Sequence, residues 1–175
     1  MKDNYHIIET DNQLKITITK KANLFILFLT GLWLINWSAM ISIIIYGIIT
    51  NPEKLDGEII FILIMLFLAG LFVLKIFLWH LKGKEIVTIN NCELIIKKTG
   101  TILTFSSKYN IDYIDTICNT EKSTTPKWIK NLGLGGGQIE FIYLEDRKYF
   151  GQSLNVSDAS KIIRKINEKI AFTKK

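Results

Sequence analysis

Between Lys21 and Lys82 the apolar residues neither alternate nor recur on one helical face; they run continuously. No charged residue lies between Lys21 and Glu53, and positions 24–49 are an almost unbroken series of Leu, Ile, Phe, Trp and Tyr. At a rise of about 1.5 Å per residue such a run reaches about 39 Å, against roughly 30 Å of bilayer hydrocarbon, so it predicts a tilted transmembrane helix over 22–49. A second run, uncharged as far as Leu74, predicts a partner over 58–81, joined to the first by an external loop at 50–57. A cleaved signal peptide does not fit the first run, which is too long and follows 23 mostly polar residues.

From Lys82 onward the pattern changes to short alternating runs bounded by turn residues, the signature of a strand meander. The runs are 85–90, 93–99, 101–108, 111–119, 138–145 and 147–151, with turns at Asn90-Asn91, Thr99-Gly100 and Asp146. Ser157-Asp158 then offers an N-cap with acid at a helix start. Ala159, Ile162, Ile163, Ile166 and Ile170 form one apolar stripe, which leaves Lys161, Arg164, Lys165, Glu168 and Lys169 for solvent. Before the first span, Leu14, Ile16 and Ile18 alternate with Lys15, Thr17 and Thr19. A lone strand is unstable, so residues 1–21 are expected to pair with the later sheet, giving seven strands in a domain interrupted by the hairpin of 22–81. The domain itself is expected over 82–175.

Lysine placement sets the expected orientation. The loop carries Lys54 alone, whereas Lys15, Lys20 and Lys21 precede the first span and Lys75, Lys82 and Lys84 end or follow the second, which puts both termini in the cytoplasm. Lys75, Trp79, Lys82 and Lys84 are read as membrane-interface anchors, with Lys75 snorkelling to the headgroups. Asn36 is expected to hydrogen-bond across to the second helix, and Ser38 and Ser42 to allow close helix packing.

The mean hydropathy of +0.25 suits such a hybrid of membrane and aqueous parts. The chain's net charge of +6 lies wholly in the distal domain, with 16 Lys and Arg against 10 Asp and Glu from Lys82 onward, so attraction to an anionic leaflet is expected. The charge is scattered, which disfavours nucleic acid. Cys92 and Cys118 are read as small buried residues, and two Cys with two His fall short of a metal site.

Gly83-Lys84-Glu85, the stretch LGLGGGQIEF at 132–141 and KYFGQSL at 148–154, in this order after a membrane hairpin, resemble a bacterial family of small membrane proteins with two transmembrane helices and a pleckstrin-homology-like (PH-like) domain. The resemblance spans most of the chain from Leu14. It implies an α+β domain, a bent seven-stranded β-sandwich or partly open barrel capped by a C-terminal helix, in the bacterial inner membrane. It implies no activity, since such folds bind lipids, peptides or nothing. At Asp158-Ala159 the family pattern would carry Glu-Ala; the negative charge at the helix start is kept.

Gly133, Gly135, Gly136 and Gly137 lack the Lys-Ser/Thr ending and following helix of a phosphate loop, so a mobile loop is expected. Just before them, Trp128, Ile129 and Leu132 stand among Lys127 and Lys130 as a candidate surface for a partner or the bilayer. No nucleophile–base pair or carboxylate pair is in register, so neither an enzyme nor a cofactor is expected. The leading expectation is a non-enzymatic, membrane-anchored interaction module, an accessory or scaffolding subunit of another membrane protein. The alternatives are a sensor of anionic lipid surface and a self-assembling hairpin pore, a homo-oligomer lined by Asn36.

Overall fold

The computed structural model describes residues 4–54, 56–90, 92–102, 104–120 and 136–173. Two antiparallel sheets pack around one core, and a long helical hairpin leaves the larger sheet as the connection between its second and third strands. That sheet has the order β1 (Tyr5–Thr10), β2 (Gln13–Thr19), β3 (Lys84–Ile89), β4 (Glu93–Thr99) and β5 (Phe105–Asn110). The smaller one contains β6 (Ile114–Asn119), β7 (Ile139–Tyr143) and β8 (Asp146–Phe150). Helices α1 (Leu24–Thr50) and α2 (Gly57–Lys82) form the hairpin, and α3 (Val156–Thr173) closes the domain.

The described residues thus hold eight strands, not seven. The additional one is β1, an edge strand whose signal is the Asp11-Asn12 turn between two apolar-containing runs. β2 pairs with β3 in the register Leu14↔Ile89 to Thr19↔Lys84, so chain from both sides of the hairpin builds one sheet.

Other boundaries shift for local reasons. Gly100, at φ +89°, lies so close to the Lys82 carbonyl that a Cβ has no room, and pairing resumes only at Phe105, opposite Lys98. The Asn110 side chain accepts the Asp112 N–H at 3.0 Å and turns 111–113 into a single 3-10 turn, so β6 starts at Ile114. The β7–β8 turn is Leu144-Glu145, at φ 48° and 71°, one step before the Asp146 expected from the sequence. Helix α3 is capped by Asn155, whose Oδ1 accepts the Asp158 N–H at 2.7 Å, rather than by Ser157-Asp158.

The core is made by Leu14, Ile16 and Ile18 of β2, Val87 and Ile89 of β3, Leu94 and Ile96 of β4, the inward side chains of the small sheet, and Ala159, Ile162 and Ile166 of α3. Phe141 sits at its centre, edge-on to Tyr109 (5.0 Å) and Phe150 (6.0 Å). Lys169, expected in solvent, is buried: its ammonium donates to the carbonyls of Thr10 (3.2 Å) and Asp11 (2.7 Å), while Lys165 pairs with Glu9 at 3.3 Å. These contacts bind the C-terminal helix to the N-terminal hairpin turn. Cys92 and Cys118 are both free and exposed, which corrects the buried reading: one lies in the β3–β4 turn, the other on the outer face of β6.

Helices α1 and α2 are both long and apolar enough to cross a membrane. Asn23 caps the first, its Oδ1 accepting the N–H of Phe25 (3.1 Å), and Asp56 caps the second through Ile59 (2.9 Å). Covered positions of α1 include the series 27, 30, 34, 37, 41, 44 and 48, and those of α2 the series 59, 63, 66, 70, 73 and 77. Alternating steps of three and four keep one straight seam between the helices. At its middle, Trp37 packs against Gly70, where a Cβ has no room, and its indole N–H donates to the Leu66 carbonyl at 2.9 Å.

Asn36, Ser38 and Ser42 stand on the exposed side of α1, away from this seam. Each is turned onto its own helix: Asn36 donates to the Leu32 carbonyl (2.9 Å), Ser38 to that of Leu34, and Ser42 to that of Ser38 (2.8 Å). The hydrogen bond across the hairpin is made by Trp37, while Asn36, Ser38 and Ser42 bond within α1.

Candidate functional site at the joint between hairpin and sheet

A single residue, Gly83, separates α2 from β3. Its carbonyl accepts the Lys20 N–H at 2.9 Å, which extends the β2–β3 pairing to the base of the hairpin. Gly83 also lies against the Trp79 carbonyl and indole ring, where any side chain would collide. One side of the last turn of α2, that of Trp79 and His80, is thereby covered. Trp79 and His80 are 5% and 2% exposed, so Trp79, expected at the membrane interface, is instead covered by protein. Lys82 and Lys84 remain exposed on either side of Gly83, and Lys75 is half-buried on α2.

On three adjacent strands the core-facing alternation ends in a charge at this same edge: Leu14, Ile16, Ile18, Lys20 on one, Ile89, Val87, Glu85 on the next, Leu94, Ile96, Lys98 on the third. Register places Ile18 and Lys98 on either side of Glu85. Glu85 is 2% exposed. Its Oε2 accepts the N–H groups of Gly151 (2.8 Å) and Gln152 (3.1 Å), and its Oε1 faces the Lys98 ammonium at 3.3 Å. Lys98 also stands 5.8 Å from the centroid of the Trp79 ring. A buried carboxylate persists only when paired and hydrogen-bonded in this way. It fastens the large sheet to the β8–α3 turn, where Gly151, at φ +76°, packs on Leu154.

Burial holds Lys20 below the usual lysine value; the Glu85 carboxylate acts against that shift, and Lys98 adds to it. Lys20, Lys21, Asn23, Leu24, Phe25 and His80 line an open cleft of about 510 Å³ beside the start of α1. Its lining brings the two lysines together with apolar residues, of which Leu24 is 79% and Phe25 73% exposed.

Of the residues singled out from the sequence, Lys127, Trp128, Ile129, Lys130 and Leu132 lie outside the described residues, as do Gly133 and Gly135. Gly136 and Gly137 lie outside any strand or helix and are buried, and Gly137 packs directly on the Phe150 backbone. The structure joins Gly83-Lys84-Glu85 to Phe150-Gly151, two short motifs far apart in the chain, through Glu85. The polar layer of Lys20, Glu85 and Lys98 is not among the sites expected from the sequence; its signal is the charge ending each of three apolar alternations. Among the described residues no group of three or more His, Cys, Asp or Glu could hold a metal ion. Comparison of the chain with protein-family models, with curated proteins and with solved structures finds no match.

Proposed function

We propose that the hairpin crosses a bacterial inner membrane with both chain ends in the cytoplasm, and that the sheet domain, a PH-like module, serves as a non-enzymatic docking unit for another membrane protein. The observation that carries this reading is the joint. Two short crossings, at 20–23 and at Gly83, connect spans to sheet, and the Lys20–Gly83 bond and the Trp79 packing remove the slack a tether would have. A domain held in one orientation to the bilayer suits a scaffold that must meet its partner at a set height and angle. The test is purification of the full chain from native membranes in a gentle detergent after brief crosslinking. One stoichiometric membrane-protein partner is expected, and it should be lost when Gly83→Val loosens the joint while the chain stays membrane-inserted. Recovery of the chain alone, crosslinked or not, would end this reading.

A second reading, a sensor of anionic lipid surface, is favoured by the five lysines around the same joint: Lys20, Lys21, Lys82, Lys84 and Lys98.

A further inference from the structure

We propose that the cleft between Lys20, Lys21, Asn23, Leu24, Phe25 and His80 binds the phosphodiester headgroup of an anionic phospholipid, with an acyl chain lying along Leu24 and Phe25. This deepens the second reading and rests on the hairpin spanning a bilayer.

Three observations converge. The cleft sits where α1 begins, the level at which headgroups meet a spanning helix. Its lining combines what a phospholipid combines, the lysines Lys20 and Lys21 with exposed Leu24 and Phe25, whereas a free phosphate has no use for the apolar residues. Lys20 beside it is also only partly compensated for its burial. Glu85, the buried carboxylate of the layer, bonds two backbone N–H groups and Lys98 rather than Lys20, on which it acts through space. Burial accordingly lowers the Lys20 pKa despite that carboxylate, and an anion in the cleft would restore the balance.

Orientation by positive residues alone would require lysines on this side of the membrane but no cleft and no lipid preference. The two explanations separate by native mass spectrometry of the full chain in neutral detergent with equimolar phosphatidylglycerol and phosphatidylcholine. The wild type should retain phosphatidylglycerol in several-fold excess, since each lysine near an anionic headgroup supports about fivefold. Lys20→Gln with Lys21→Gln should bring the ratio close to one, and Lys20→Arg with Lys21→Arg should restore it. Lys15→Gln with Lys108→Gln removes the same charge from the far end of the same sheet, where both residues are exposed, and should leave the ratio unchanged.

Equal retention of the two lipids by the wild type would overturn the proposal, as would an equal loss in the Lys15/Lys108 variant. Displacement of the bound lipid by millimolar inorganic phosphate would show a plain anion site and overturn the lipid assignment. Extraction of the chain from membranes by carbonate would instead remove the spanning hairpin, a failure of the underlying reading that is scored separately.

Discussion

Glu85 and Gly151 stand 66 positions apart, and the Gly151 N–H donates to the buried Glu85 Oε2 at 2.8 Å. That bond, with its neighbour from Gln152 and the Lys98 ion pair, couples the strand leaving the hairpin to the turn that launches α3. Glu85→Ala strands two backbone donors and one cation, and removing one partner of a buried, hydrogen-bonded charge costs about 3–5 kcal/mol. Chemical unfolding of the detergent-solubilised chain should show a loss of that order, and a change below about 1 kcal/mol, the size of a surface pair, would contradict the role given to Glu85.

The pH response of Lys20 follows from the sign of its shift. Its folded-state pKa lies below 10.5, so the unfolded chain binds its proton more tightly. The resulting destabilisation is fully present at neutral pH and is relieved as pH rises through the lowered pKa toward 10.5. In neutral detergent without anionic lipid, Lys20→Met should therefore be more stable than wild type at pH 7, and the gap should close on going to pH 10. A gap that widens with pH would reverse the sign argued here.

The seam of the hairpin depends on Gly70. A leucine there meets the Trp37 ring, and over-packing of this kind costs about 1–3 kcal/mol. Gly70→Leu should lower the thermal midpoint and alter the near-ultraviolet signal of the tryptophans. Gly47→Leu is the control, because nothing lies within 4 Å of the position its Cβ would take.

The β7–β8 turn places two L-residues, Leu144 and Glu145, at positive φ. Left-handed backbone costs an L-residue roughly 1–2 kcal/mol, and a two-residue hairpin turn of this hand favours Asn-Gly. Leu144→Asn with Glu145→Gly should raise stability by about 1 kcal/mol, read from the unfolding midpoint. Leu144 is exposed, so no core contact is lost.

The sequence carried the elements whose signal is long or periodic: two uncharged runs, the alternation on β2, β3 and β4, and the apolar stripe of α3. What it did not reveal depends on contacts between distant segments. Trp37 and Gly70 are indistinguishable from their neighbours in a stretch that is apolar all round, so hydropathy does not mark the seam, whereas Asn36, Ser38 and Ser42 stand out by polarity alone. Lys169 looked like solvent-facing charge because the carbonyls of Thr10 and Asp11 that bury it lie at the other end of the chain. The polar layer at the joint was partly legible, since Lys20, Glu85 and Lys98 each close an apolar alternation. Only the strand register shows that those three endings share one edge.

The account rests on the hairpin crossing a bilayer with both ends on one side, and the exposed cysteines offer a direct measurement. In intact cells a membrane-impermeant maleimide should leave native Cys92 and Cys118 unlabelled until the membrane is opened. A Cys92→Ser, Cys118→Ser, Glu53→Cys chain, with its thiol in the exposed turn between α1 and α2, should be labelled at once. Labelling of Cys92 and Cys118 in intact cells, or protection of the thiol at position 53, would contradict it.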